Sequence, residues 1–191
     1  GAYIDDDFGN ASGSAYVFED TGSGWVQVVK LLADDGNAGD YFGRSVAISD
    51  NTILVGADGC DDGGSNAGAT YVFENLGAGW FQLAKLTASD AAEEDRFGAS
   101  VAISGGRAII GAYGRDDLGA NSGAAYAFED NGAGWAQAAK LLPADGQAGD
   151  AFGASVAICG DVAVIGAYRD DDRDADSGSA YVFLRNDNVW S

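Results

Sequence analysis

The chain repeats itself every 55 residues without insertion or deletion. A Phe-Gly-x-Ser-Val-Ala-Ile segment occurs at residues 42–48, 97–103 and 152–158. A Gly-Ala pair recurs at the same interval, as do a tyrosine, a phenylalanine two residues after it, and all 4 tryptophans. A fixed period of this length, built from short apolar runs, predicts an array of small sheets that bury their faces against one another.

Each repeat divides into four apolar runs separated by Gly, Asp, Asn and Ser, which is typical of β-strands. In the second repeat these runs predict strand A at 45–48, strand B at 52–57, strand C at 69–73 and strand D at 80–86. Strand A is rich in small residues, as expected where sheets converge on an axis. The sequence therefore predicts an all-β fold of four-stranded antiparallel sheets stacked as β-propeller blades. A β-solenoid is the alternative, but its rungs are normally shorter than this repeat.

The period also places the blade boundaries. It predicts a partial blade at 1–41 (the end of strand B, then C and D), whole blades at 42–96 and 97–151, and a partial blade at 152–191 (strands A to C). The chain would then hold about three and a half blades. Unpaired strands at both ends are expected to be adhesive, so other blades or subunits of the same protein are the expected partners.

Composition excludes several classes of partner and site. The formal net charge is −20, from 30 acidic and 10 basic residues, so we expect no binding to nucleic acid and an attraction for cations. The chain has no histidine, the commonest general base and transition-metal ligand. No apolar run approaches the roughly 20 residues that a bilayer requires, so no membrane insertion is predicted.

Most acidic residues fall in the predicted B–C loops and D–A linkers, which share one face because connections in a meander alternate between its ends. Hard oxygen ligands in Gly-rich loops suit Ca²⁺. The predicted ligands are Asp5, Asp6, Asp7, Asp61, Asp62, Asp116, Asp117, Asp170, Asp171 and Asp172, with Asp35, Asp40, Asp90, Asp95, Asp145 and Asp150 as second contributors. The alternative prediction is that these residues close turns through local hydrogen bonds.

Three other residue types carry specific expectations. Cys60 and Cys159 fall at opposite ends of a strand about 20 Å long, so no disulfide between them is predicted. Asn10-Ala11-Ser12 fits an N-glycosylation sequon on the acidic face. The recurrent tryptophans are predicted to cover the gaps between blades, with stacking on sugars as the alternative.

The Phe-Gly opening, the Gly-Ala pair 14 residues later and the Trp-x-Gln-x-x-Lys-Leu segments at 25–31, 80–86 and 135–141 resemble FG-GAP repeats. The likeness is to the repeats of integrin α-chain propellers, and more closely to those of microbial surface proteins. It implies a seven-bladed propeller in the intact molecule or assembly, outside the cell or at its surface. The integrin-type Asp-x-Asp-x-Asp-Gly series between strands A and B is missing here, so the calcium residues of integrins cannot be transferred.

Together these features predict a non-catalytic extracellular propeller for adhesion or surface assembly, stabilised by Ca²⁺ through its Asp-rich loops. A glycan or an extracellular protein is the expected external ligand, and a carbohydrate-binding lectin propeller is the alternative function. Paired aspartates can perform glycoside hydrolysis. However, near-identical acidic loops in every repeat indicate a structural feature, whereas a catalytic site usually breaks the repeat.

Overall fold

The computed structural model describes residues 1–191, which form 14 β-strands and no helix. The strands make four antiparallel sheets in which sequential neighbours pair. The first sheet contains β1 (Ala15–Asp20) and β2 (Trp25–Leu31). The second contains β3 (Ser45–Ser49), β4 (Thr52–Ala57), β5 (Ala69–Asn75) and β6 (Trp80–Leu86).

The third sheet contains β7 (Ser100–Ser104), β8 (Arg107–Ala112), β9 (Ala124–Asp130) and β10 (Trp135–Leu141). The fourth contains β11 (Phe152–Cys159), β12 (Val162–Ala167), β13 (Ser179–Asn186) and β14 (Val189–Trp190). In each four-stranded sheet the strands are A to D in chain order. The predicted all-β fold of four-stranded antiparallel sheets is confirmed, and it is the architecture of partial β-propeller blades.

The last sheet differs from the prediction, which ended it at strand C. Val189 and Trp190 form a short fourth strand, β14, that pairs with Asn186 and Arg185 of β13. Asp187 and Asn188 make this return possible because both adopt positive φ angles, of 49° and 67°. Such angles are tolerated by Asp and Asn in tight turns. Trp190 is thereby buried against the fourth sheet's core.

Each sheet packs one face, here called its back face, onto the front face of the next sheet. The back face of the second sheet presents Leu54 and Val72, which pack against a front face that includes Ile110, Tyr126 and Phe128. Equivalent apolar clusters form at the other two junctions. The A strands β3, β7 and β11 contact one another across the junctions, so they lie innermost.

The phenylalanine of the Phe-Gly segment anchors each junction. Phe97 is fully buried, and its ring packs edge-to-face on Tyr126 at 5.5 Å and on Phe128 at 5.9 Å. Its backbone N–H donates to the carbonyl of Ala67 in the preceding repeat at 2.9 Å. Phe42 and Phe152 occupy the equivalent positions. Each of these rings therefore packs on the tyrosine and the phenylalanine that recur in strand C every 55 residues.

The glycines of the two recurring motifs meet across the junction. A Cβ atom on Gly56 would lie 1.9 Å from the carbonyl oxygen of Gly98, far inside van der Waals contact. Ser45 Oγ donates to that same carbonyl at 2.7 Å. Gly111, Gly153 and Ser100 repeat the arrangement at the next junction. Glycine is required here because two backbones approach too closely for any side chain.

The remaining sequence predictions concern cysteines and tryptophans. Cys60 is buried after β4 in the second sheet, Cys159 is exposed at the end of β11 in the fourth, and the two are not bonded to each other. Trp80 and Trp135 pack against the cores of the junctions that precede their sheets, as predicted for gap-covering rings. Trp25, on the first sheet, is instead 73% exposed. No helix that could cross a membrane is present.

Candidate functional site

The B–C loops and D–A linkers lie together on one face of the array, here called the loop face. Backbone hydrogen bonds join each linker to the preceding loop: Gly39 N–H donates to Asn10 at 2.9 Å, Glu94 N–H to Ser65 at 2.8 Å, and Gly149 N–H to Ala120 at 2.9 Å. The predicted gathering of these acidic segments on one face is confirmed. Asn10 is exposed on this face, and its glycosylation stays a prediction.

The first aspartate of each recurring pair closes the turn that follows it. Its Oδ1 accepts a hydrogen bond, between 2.7 and 2.9 Å long, from the backbone N–H five residues later. The accepting residues are Asp6, Asp61, Asp116 and Asp171, and the donors are Ala11, Asn66, Asn121 and Asp176. All four donors have positive φ angles, between 50° and 54°. These carboxylates are engaged in the turn chemistry that was the alternative to metal binding.

In the first three sheets the second aspartate of the pair faces a lysine of strand D. Lys85 forms ion pairs with Asp62 of its own B–C loop and with Asp35 of the preceding linker, the latter at 2.6 Å. Tyr71 Oη donates to the same Asp35 at 2.9 Å. The lysine ammonium group therefore lies between two carboxylates, where it neutralises them.

The next junction repeats this network. Lys140 pairs with Asp117 and, at 2.7 Å, with Asp90, while Tyr126 Oη donates to Asp90 at 2.9 Å. Burial opposes the ionisation of Asp90, but the hydrogen bonds from Lys140 and Tyr126 outweigh it and lower the pKa of this carboxyl group. In the first sheet Lys30 bridges Asp5 and Asp7 in the same manner.

The last aspartate of each linker is nearly fully buried and bonds to the backbone. Asp40, Asp95 and Asp150 accept N–H hydrogen bonds at 2.7, 2.8 and 2.6 Å from the residue three positions earlier in each linker. Burial raises the pKa of both Asp40 and Asp95. These side chains therefore hold the linkers in shape.

One position of the repeat, here called the variable column, holds a different residue in each successive sheet, and its role was missed from the sequence. The residues of this column are Asp5, Cys60, Arg115 and Asp170. Arg115 contacts Asp95 at 3.0 Å, Asp117 at 3.2 Å and Asp90 at 3.3 Å. Cys60 Sγ instead lies 3.5 Å from Tyr71 Oη, and burial raises the pKa of this thiol to about 12.

At the fourth sheet the same column position is acidic. Asp170 accepts a hydrogen bond from Tyr181 Oη at 2.5 Å, and Tyr181 also lies 3.0 Å from Asp145. The charge of Asp170 is the main cause that raises the pKa of Asp172. The break in this column was visible in the sequence, but its meaning depends on which loops and linkers meet in space.

The donor set does not fit a chelated metal ion. No group of three or more carboxylate or thiol side chains is arranged to hold one. The paired aspartates divide between a turn N–H and a lysine instead of converging on one point. The geometry favours the structural interpretation of these residues, and calcium binding stays a prediction.

Replacing Asp90 by Asn should lower the free energy of unfolding by about 1 kcal/mol near pH 7, allowing for the partial exposure of this group. The pKa of Asp90 lies below its ordinary value of 3.8, so the ionised form stabilises the fold above that pH. This contribution is lost as the pH falls through the folded-state pKa. Urea unfolding should be measured near neutral pH and again below about pH 4. The difference in unfolding free energy between variant and parent should be smaller at the lower pH.

The matched control is Asp34→Asn. Asp34 lies in the linker before the second sheet, and its carboxylate forms no ion pair and accepts no hydrogen bond. An equal loss of unfolding free energy in the two variants, or a loss in Asp90→Asn that grows in acid, would contradict the proposed role of Asp90.

Among known protein families, the chain matches a family of repeats. The model of the FG-GAP repeat matches three stretches, residues 25–73, 80–128 and 135–183. Each stretch runs from the start of strand D in one sheet to strand C of the next, so the family unit spans a junction. A comparison with curated proteins gives no match. Because the three stretches cover more than half of the sequence, the chain belongs to the FG-GAP repeat family, whose repeats indicate a β-propeller domain.

Proposed function

We propose that the chain is a non-catalytic propeller module of an extracellular or surface protein, and that it builds larger adhesive or structural assemblies by joining sheet faces end to end. The observation that carries the proposal is the presence of an exposed back face at one end and an exposed front face at the other. The back face is one complete half of the junction that the chain buries between its own sheets, and the front face, which has strands C and D, is part of the other half.

The exposed back face belongs to the fourth sheet. Val164 and Val182 are 39% and 62% exposed, whereas their equivalents Ile109 and Ala127 in the third sheet are fully buried. Val162 and Leu184 extend this apolar face at positions where the third sheet has Arg107 and Glu129. The fourth sheet therefore presents a larger apolar back face than the sheets whose back faces are covered.

The exposed front face belongs to the first sheet. Phe18 is 50% exposed there, although its equivalents Phe73 and Phe128 are buried by the preceding sheet. Beside it, an apolar cleft opens between the first and second sheets and exposes Val46 and Ile48 of β3. Aromatic and β-branched side chains are thus available at both ends of the array.

Energetics support association of the two faces. Full burial of a valine or phenylalanine contributes about 1.5–3 kcal/mol, so a few such residues can offset part of the entropic cost of association. The occupant that fits is another blade of the same repeat, which a second copy of this chain can supply, because its front face is built on the repeat that already packs on these positions. A contact between unlike faces continues from copy to copy, so it generates rings or filaments.

The acidic loops support a non-catalytic role. Their carboxylates recur in the same turn bonds and lysine pairs at successive junctions, which is the behaviour of a structural element. Residence outside the cell is proposed because FG-GAP repeats are typical of extracellular and surface proteins. Trp80 and Trp135 pack between sheets, so the lectin alternative gains no support from stacking on these two tryptophans.

Substitution of Val182 by Asp should abolish association of copies, because it places a charge on the face that must be buried. Sedimentation equilibrium over a range of concentrations measures this directly. The parent chain should show concentration-dependent association, and the variant should remain monomeric.

Leu76→Asp is the matched control, since Leu76 is an equally exposed apolar residue in a C–D turn away from both end faces. Association that persists in Val182→Asp, or a parent chain that stays monomeric at every concentration, would refute assembly through this face.

Calcium stabilisation of the loops is tested separately. We expect equal melting temperatures in Ca²⁺ and in excess EDTA, because Lys30, Lys85 and Lys140 already neutralise the paired carboxylates. Mg²⁺ at matched ionic strength controls for general screening of the charge of −20. A rise specific to Ca²⁺ would show that the loops rearrange to chelate it, as the sequence alone predicts.

A further inference from the structure

A cavity of about 420 Å³ opens on the loop face where the first three sheets converge. It lies at the ends of the B strands and the starts of the A strands, and its wall includes Tyr3, Tyr41, Arg44, Asp58, Arg96 and Tyr113. None of the acidic pairs described above lines it. The cavity combines aromatic rings, guanidinium groups and one carboxylate.

The charged residues of this wall break the repeat. Arg44 stands where the other repeats have Ala99 and Ala154, and Arg96 stands where they have Tyr41 and Ala151. Asp58 stands where the other three have tyrosine, namely Tyr3, Tyr113 and Tyr168. The Phe-Gly and Gly-Ala motifs that hold the sheets together are the same at each junction, whereas these three charged residues occur only around this cavity.

Asp58 is a buried acceptor without a partner. The residue is 4% exposed, and its Oδ1 accepts no hydrogen bond. Its nearest cationic atom, Arg44 Nε, lies 3.8 Å from Oδ2, which is beyond hydrogen-bond distance. Burial raises the pKa of Asp58, although Arg44 and Arg96 oppose the shift. An unpartnered buried acceptor destabilises the structure, and a donor from a ligand would relieve that cost.

Arg44 supplies free donors beside this acceptor. Its guanidinium group lies over the ring of Tyr3 at 5.0 Å and is partly exposed. Arg96 is already engaged, because it donates to Glu94 at 2.6 Å and to Asn66 at 3.2 Å. The rings of Tyr3 and Tyr41 meet edge-to-face at 6.2 Å and form an aromatic wall.

We propose that this cavity binds a neutral saccharide. One ring hydroxyl donates to the Asp58 carboxylate and accepts from Arg44, while the apolar C–H face of the sugar lies on a tyrosine ring. A cationic ligand would meet two guanidinium groups, and an apolar ligand would leave Asp58 unpaired. A polyhydroxylated ring satisfies both groups. This site is independent of the proposed end-to-end assembly, because it lies on the loop face and uses neither end face.

The test is saturation-transfer difference NMR of the intact chain with glucose, galactose, mannose and N-acetylglucosamine as separate probes. At least one sugar should bind, and Asp58→Asn and Arg44→Ala should each weaken that binding by about tenfold or more, as expected for loss of a charged hydrogen bond. Arg44→Ala restores the residue of the other repeats, so the sheet stacking should be retained. Thermal unfolding verifies this for both variants.

The control is Asp50→Gly, which removes an aspartate from an A–B turn on the opposite face and installs the glycine found at 105 and 160. All three positions have φ angles between 51° and 58°, so the backbone accepts the change. Sugar binding should be unchanged in this variant. Absence of binding with every probe, or binding retained in both cavity variants, would overturn the proposal without affecting the association measurement.

Discussion

The stacking of sheets depends on a close approach of two backbones at each junction. Gly56 and Gly111 lie against the carbonyl groups of Gly98 and Gly153, where there is no room for a Cβ atom. A serine hydroxyl of strand A fixes each of these carbonyls, and a buried phenylalanine closes the space beside it. The sheets can therefore pack tightly only when both glycines are present, which explains why the Phe-Gly and Gly-Ala motifs recur together.

The acidity of the chain is organised by the same junctions. A linker aspartate, the tyrosine of strand C and the lysine of strand D form one network at each of two successive junctions. An exposed ion pair contributes less than about 1 kcal/mol, but these networks tie each linker to the following sheet at a defined point. The carboxylates thus specify how sheets are joined, while the strong net charge opposes non-specific aggregation. In the proposed assembly, the selective contacts between copies are made by the apolar end faces.

The strands could be predicted because the repeat presents the same pattern several times in register. The contacts of the aspartates could not, since Asp35 and Lys85 are 50 residues apart and meet only once the sheets are stacked. Likewise, Asp58 is visible in the sequence as a replacement for tyrosine, but its burial without a partner is a property of the packed structure. The short strand β14 depended on positive φ angles at Asp187 and Asn188, which no periodicity indicates.

Unfolding free energies of Gly111→Ala and Gly106→Ala test most directly whether backbone contact controls the stacking. A methyl group at Gly111 would meet the Gly153 carbonyl at 1.9 Å, whereas at Gly106 the nearest atom is 3.6 Å away. We expect Gly111→Ala to lose about 2 kcal/mol or more and Gly106→Ala to change stability by less than about 0.5 kcal/mol. Equal stability of the two variants would contradict the account.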